Sequence, residues 1–281
     1  MIAMTRSGNG DAGLRGHSSP ACVELSIDGR VALLRLNRSE SGNSISARMV
    51  AELWEMFVEA EAKCSVLVLE GGHEVFCVGA DLSEYSSSED APDDPGSLYR
   101  LWARMATGPL LTVAHIRGRV MAGGVGFVAA SDIAICSVEA TFALSELLFG
   151  LYPAMVLPFL IRRIGRQHAH YLTCTTQPIG AQRAEQWGLV DEATPDTRRA
   201  LGRCLSRLTR VPSEAIQTYK DYLNGVTGPI CEHEARAVRA NREMFLNSDN
   251  LRRISDFTTL GLMPWEREFA GVRAGLGRTV S

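Results

Sequence analysis

The sequence predicts an α/β core followed by an appended helical region. Three observations carry that prediction. Short apolar, strand-like runs alternate with helical runs from Cys22 to about Val190, the pattern of a sheet with helices packed on it. After Thr194-Pro195 only amphipathic helical segments remain, punctuated by proline and glycine. Within the core, the pair Gly123-Gly124 ends one apolar run and opens a helical one.

The elements follow in order. "CVELSID" and "VALLRLN" flank Asp28-Gly29, a hairpin signal. Ile45, Met49, Leu53, Met56 and Phe57 then recur at helical spacing, with Ser44 or Ser46 as cap. "SVLVLEG", "LLTVAHIRG" and "SDIAICS" are further strands. "EVFCVGA" is also strand-like, which makes Cys77 a packed thiol rather than a nucleophile. The Ser/Asp/Pro-rich stretch 85–96 is a surface loop, either a gate over a site or a plain connector. The predicted organisation is a disordered extension over 1–20, a core over 21–195, a helical region over 196–268 and a frayed tail over 269–281.

Composition narrows the function. A chain of 281 residues, 46% hydrophobic, can bury a sizeable core. A net charge of −3 supplies no field for nucleic acid or an anionic membrane. No apolar run approaches the roughly 20 residues of a membrane span, and residues 1–20 lack the apolar stretch of a signal peptide. Seven cysteines without a C-x-x-C pair predict reduced thiols and a cytoplasmic location. No metal is expected: His168 and His170, two apart, diverge on a helix.

Three constellations could carry chemistry. Ala80, in "FCVGADL", offers a small side chain beside its backbone N–H. Gly123, in "MAGGVGF", opens a helix, whose free N–H groups and dipole hold negative charge. Its spacing matches neither a dinucleotide fingerprint nor a P-loop. Glu146 is a lone carboxylate in the apolar run "FALSELLFG". On the residues alone an exposed turn is the favoured location. The alternative is a desolvated pocket, which would raise its pKa and suit it to proton transfer. Anion stabilisation beside a base is what proton abstraction next to a carbonyl requires. Arg162, Arg163 and Arg166 cluster on a predicted helix, by default a solvated face, alternatively a docking face for an acidic partner.

Together these segments resemble the crotonase (enoyl-CoA hydratase/isomerase) superfamily. The resemblance runs from "VALLRLNRSESGNSIS" through "FCVGADLSEY", "IRGRVMAGGVGF" and "FALSELLFGLYP" to "RAEQWGLVDE". It implies a spiral of ββα units, a homotrimer or hexamer built through the helical tail, and no resident cofactor. The acyl substrate would arrive as a thioester, on the phosphopantetheine of an acyl carrier protein or on CoA. The N–H groups of Ala80 and Gly123 would form an oxyanion hole, with Glu146 as base. The second glutamate of the family's hydratases falls here on Gly126.

A narrower resemblance is to the dehydratases of the polyketide β-branching cassette, carried by "HIRGRVMAGGVGFVAASDIAI", "LSELLFGLYPAMVLPFLIRRIGRQHAHYL" and "MPWE". It implies a lyase converting 3-hydroxy-3-methylglutaryl-ACP to 3-methylglutaconyl-ACP, with an acidic carrier docking on Arg162, Arg163 and Arg166. The cassette's decarboxylase, a general enoyl-CoA hydratase or isomerase, and a non-catalytic binding protein are the alternatives. Retention of Glu146 favours dehydration, since decarboxylation needs no base at C2. The substrate's distal carboxylate would need a cation or several donors. His115 and Arg119 are candidates by position, with Asp81 and Gly124 as further contacts. A packed ring, a solvated chain and a helix cap are the simpler accounts of His115, Arg119 and Asp81.

Overall fold

A hairpin opens the fold: β1 (Val23–Asp28) and β2 (Val31–Leu36) pair antiparallel across a turn with Gly29 at φ 54°. Here and below, the computed structural model describes residues 20–85 and 94–266. The expected N-terminal extension, the middle of the 85–96 loop and the frayed tail lie outside the described residues.

Ser46 caps α1 (Ala47–Lys63), its Oγ accepting from the Met49 N–H at 3.1 Å. Ile45 is not the first helical residue its spacing predicts. It lies one residue ahead of the cap and pairs with Ala80 in an isolated parallel bridge. Next come β3 (Val66–Glu70), β4 (Val75–Cys77) and α2 (Ser97–Thr107). β5 (Leu111–Ile116), β6 (Arg119–Met121), α3 (Gly123–Ala130) and β7 (Ile133–Ser137) follow. After β8 (Thr141–Ala143), α4 (Leu157–Thr175), β9 (Ile179–Gly180), α5 (Ala181–Gln186) and β10 (Glu192–Thr194) complete the α/β part.

The strands form two sheets, one ordered β1-β2-β3-β5-β7-β10 and a smaller one ordered β4-β6-β8-β9. In the large sheet every pair after the hairpin is parallel. β3 is buried throughout. Leu67 and Leu69 face the main core, while Val66 and Val68 face a second cluster closed by Ala200. Burial on both faces explains why "SVLVLE" shows no polar alternation.

The main core holds Trp102 and Tyr99 of α2, a helix the sequence reading did not anticipate. The Trp102 ring meets Phe127 at 5.7 Å and Phe159 at 5.8 Å between centroids.

After β10 come α6 (Thr197–Leu208), α7 (Ser213–Thr227), α8 (Glu234–Leu246) and α9 (Ser248–Leu260). α6 covers the outer face of the large sheet through Ala200, Leu201 and Leu205. α7 is pinned by Lys220, which is buried and donates to Met105 O, Leu110 O and Asp132 Oδ2, each at 2.8 Å. Met244 of α8 and Ile254 of α9 pack on Phe149, Leu151 and Ala154. Among the described residues no helix is long and apolar enough to cross a membrane.

Candidate active site

Three neighbouring parallel strands deliver the candidate groups to one place. β4, β6 and β8 lie side by side in the small sheet, all pointing the same way. Three residues past the end of β4 comes Ala80, two past β6 comes Gly123, and three past β8 comes Glu146. Adjacent strands are about 4.8 Å apart, so the three groups emerge together at the carboxyl edge of the sheet. That edge is where open parallel sheets leave room for ligands.

The backbone geometry frees two N–H groups there. The Ile45 N–H donates to Gly79 O at 2.8 Å, and the Asp81 N–H donates to Ile45 O at 3.0 Å. These bonds use the groups flanking Ala80, and alternation along the chain turns the Ala80 N–H to the opposite side. On that side lies Gly123, where a Cβ would stand 3.8 Å from the Ala80 nitrogen. The Gly123 N–H belongs to the first turn of α3 and has no intrahelical acceptor. Neither N–H has an acceptor among the described residues.

Ala122, just before α3, sits at φ 47°, ψ −122°. A residue with a Cβ pays about 1–3 kcal/mol for such a conformation. The strain is held by the Ala122 N–H donating to Ala143 O at 3.0 Å and the Val125 N–H donating to Ala122 O at 2.9 Å. The first of these bonds ties the turn to the strand that leads to Glu146.

Glu146 opens a single 3-10 turn, Glu146–Phe149. The favoured expectation of an exposed turn is corrected. The residue is mostly buried, and its Oε2 is enclosed with no hydrogen-bond partner. Desolvation pushes its pKa up to about 7, against the backbone N–H groups of Glu146 and Ser145, which pull it down. A carboxyl group titrating near neutrality can accept a proton and give it back. Cys77 is fully buried, and burial pushes its thiol up to about 12, so it packs rather than reacts.

The remaining sequence candidates have partners of their own. Asp81 directly precedes the short 3-10 turn Leu82–Tyr85, where the Glu84 N–H donates to the Asp81 carbonyl at 3.2 Å. The Asp81 Oδ2 accepts from Arg38 Nη2 and from Ser44 Oγ, each at 2.9 Å, anchoring the Ala80 loop to the 38–45 segment. Gly124 is packed against β4: a Cβ there would lie 2.5 Å from Cys77 O. His115 is buried, with Nδ1 2.6 Å from Glu70 Oε1, in a cluster with Arg35 and Arg117. The hydrogen bond to His115 is the main force holding the Glu70 carboxyl below its usual range. Arg119 is exposed at the start of β6, four residues and about 13 Å of extended chain from Gly123. Among the described residues neither His115 nor Arg119 forms a hydrogen bond or ion pair with Ala80, Gly123 or Glu146.

The basic cluster is also corrected. Gly165 takes φ 76°, ψ 160° and breaks the helical phase of α4 between Arg163 and Arg166. Arg163 is consumed inside the fold, donating to Leu189 O, Ser131 O and Asp191 Oδ2. Arg162 donates to Asn224 Oδ1 at 3.0 Å. Only Arg166 of the three is exposed. Among the described residues no group of three or more His, Cys, Asp or Glu side chains could hold a metal ion.

Two features of the site escaped the sequence reading. The Ile45 Cδ1 would lie 2.9 Å from a Cβ on Gly123, so Ile45 lines the candidate oxyanion hole. Trp102 lies against Gly126: a Cβ there would meet its Cη2 and Cζ2 at 2.5 Å and its Cε2 at 2.8 Å. The indole ring occupies the volume a side chain at 126 would need.

The family profile for enoyl-CoA hydratase/isomerase matches residues 26–255. The chain belongs to the enoyl-CoA hydratase/isomerase family. Within that family it is 41% identical over 249 residues to the bacillaene synthase dehydratase PksH of Bacillus subtilis strain 168, covering 87% of this chain and 96% of that protein. It is 33% identical over 183 residues to a hydroxycinnamoyl-CoA hydratase-lyase of Pseudomonas fluorescens, covering 62% of this chain and 66% of that protein. A crystal structure of pksH from Bacillus subtilis superposes with a TM-score of 0.82 at 40% identity, covering 86% of this chain and 98% of the other. An enoyl-CoA hydratase from Mycobacterium avium gives 0.77 at 27% identity, covering 88% and 99%. This likeness to enoyl-CoA hydratase/isomerase enzymes agrees with the expected crotonase-type α/β fold.

Proposed function

We propose that the protein is a dehydratase of polyketide β-branching, removing water from 3-hydroxy-3-methylglutaryl-ACP to give 3-methylglutaconyl-ACP. The observation that carries the reading is the enclosed carboxylate of Glu146 beside two acceptor-free N–H groups. Similarity to the dehydratase PksH supports the reaction class.

The chemistry follows from that arrangement. The thioester oxygen accepts hydrogen bonds from the N–H groups of Ala80 and Gly123. Glu146 takes the C2 proton, and the electron pair moves into the C1–C2 bond as charge gathers on the oxygen. One such donor is worth about 3–4 kcal/mol in comparable sites. The enolate then collapses, the C2–C3 double bond forms and the C3–O bond breaks. The hydroxyl leaves with the proton held on Glu146, which returns to its carboxylate form. One water is released. A single carboxylate serving both ends requires proton and hydroxyl to leave from the same face. This accounts for Gly126, where a second acid would stand.

Incubation with 3-hydroxy-3-methylglutaryl-ACP, followed by mass spectrometry of the carrier, tests the reading. The expected product is lighter by one water, and Glu146→Gln abolishes its formation. An unchanged carrier mass with the wild-type protein, or near-normal turnover by Glu146→Gln, overturns it.

A further inference from the structure

With Arg162 and Arg163 committed to internal contacts, an acidic partner must find its cations elsewhere. A groove of about 470 Å³ lies between the start of α2 and α8. The face of α8 that lines it carries Ala235, Val238, Arg239 and Arg242, positions i, i+3, i+4 and i+7 of one helical face. The acids of the groove are already used. Arg100 pairs with Glu234 at 2.8 Å and with Asp94. Arg239 and Arg242 are exposed and make no ion pair or hydrogen bond with any described residue. Among the described residues the groove therefore presents two guanidinium groups without an acidic partner, beside Pro95, Ala235 and Val238.

Both walls connect to the candidate active site. α2 runs from the groove to Trp102, which packs on Gly126 one turn from Gly123. α8 runs from the groove to Met244, which packs on Phe149 of the Glu146 turn and whose Sδ accepts from the Tyr152 N–H.

We propose that this groove, through Arg239 and Arg242, docks the acidic face of the acyl carrier protein that delivers the substrate. The inference rests on the carrier-bound substrate of the proposed function. Arginine suits it, since its planar fork pairs with carboxylates in two-point contacts. Exposed charges of this kind act on encounter and on salt dependence more than on the chemical step.

The test compares wild type with Arg239→Glu/Arg242→Glu on the same 3-hydroxyacyl group, carried either on the acyl carrier protein or on free pantetheine. For the carrier-bound substrate kcat/KM is expected to fall about tenfold or more, through KM, and to lose most of its dependence on ionic strength. For the pantetheine thioester both constants stay unchanged, which also shows that the variant is folded. Arg239→Lys/Arg242→Lys is expected to restore most of the carrier-dependent rate. Unchanged turnover of the carrier-bound substrate overturns the proposal. Equal loss on both substrates overturns it too, assigning the groove to the pantetheine arm. A wild-type protein that dehydrates neither substrate overturns the functional reading itself. One that dehydrates only the pantetheine thioester overturns the docking proposal.

Discussion

Gly79 and Ala122 stand so close that a Cβ on Gly79 would lie 2.6 Å from the Ala122 Cβ and 3.1 Å from the Gly123 nitrogen. Gly79 also takes φ 97°, a conformation that favours glycine. The contact brings the loop carrying the Ala80 N–H against the turn that frees the Gly123 N–H. Gly79→Ala must separate the two loops. The expected result is a loss of roughly 10²–10³ in kcat, the size of a lost oxyanion donor. Stability should fall by about 1–3 kcal/mol. Steady-state kinetics and denaturant unfolding measure the two separately, and full activity in a well-folded variant would remove these N–H groups from the mechanism.

Glu146 predicts a pH dependence of stability whose sign can be worked out. Its folded pKa, about 7, lies above the ordinary glutamate value of 4.5. The protonated form is therefore favoured by folding, and the carboxylate is penalised. The penalty is absent below the unfolded pKa, grows as pH rises from about 4.5 to 7, and is complete above. Glu146→Gln should thus match wild type near pH 4.5 and exceed it by up to about 3 kcal/mol at pH 8.5. Urea denaturation of both proteins at the two pH values checks this. An equal difference at both would mean the carboxylate is solvated.

The same group predicts the activity profile. If Glu146 acts first as a base, kcat/KM should rise with pH along a limb of apparent pKa near 7. Asp81→Asn loosens the Ala80 loop from Arg38 and removes no side chain that shifts the Glu146 carboxyl. It should therefore lower kcat while keeping the limb in place. Movement of that limb in Asp81→Asn would couple the two groups and count against separate roles.

What was legible in the sequence was local. The Asp28-Gly29 hairpin, the Ser46 cap and the strands around Leu67, Val113 and Ala134 depend on neighbours a few residues away. Gly123 and Ala80 stand out in glycine-containing loops, and only the resemblance to the crotonase superfamily implies a role for them. Burial of Glu146 could not be found, because the helices packed on its turn arrive with Met244 and Ile254, about a hundred residues later. Ile45 fits a helical spacing, yet the bridge to Ala80 overrides it. The arginines do not form one exposed face, because Arg162 and Arg163 hydrogen-bond inside the fold and Gly165 breaks the helical phase before Arg166.

Lys220 offers a stability test remote from the chemistry. It is buried, its three donors are satisfied, and it crosses from α7 to Asp132. Lys220→Met removes a buried charge while keeping much of the stem, and leaves the Asp132 carboxylate to the N–H and hydroxyl of Thr112 without its cation. Breaking one side of such a pair costs about 3–5 kcal/mol. The expected outcome is a lower unfolding midpoint with kcat of the folded protein unchanged. A comparable loss of kcat at temperatures well below unfolding would tie α7 to catalysis.

Gly126 and Trp102 predict a coupling. A Cβ at 126 would sit 2.5 Å from the indole ring, and Trp102 is itself held between Phe127 and Phe159. Gly126→Ala should therefore destabilise the protein by about 1–3 kcal/mol through overpacking. The Trp102 Nε1 is buried without a partner, so Trp102→Phe loses ring volume but no hydrogen bond, and the smaller ring vacates part of the contested space. In the Trp102→Phe background the cost of Gly126→Ala should shrink, giving a coupling of at least about 0.5 kcal/mol in a double-mutant cycle. Strict additivity would mean that the ring yields freely. The space at 126 would then not explain why a single carboxylate stands here. A coupled result makes the indole the physical reason that an acid cannot simply be added at Gly126.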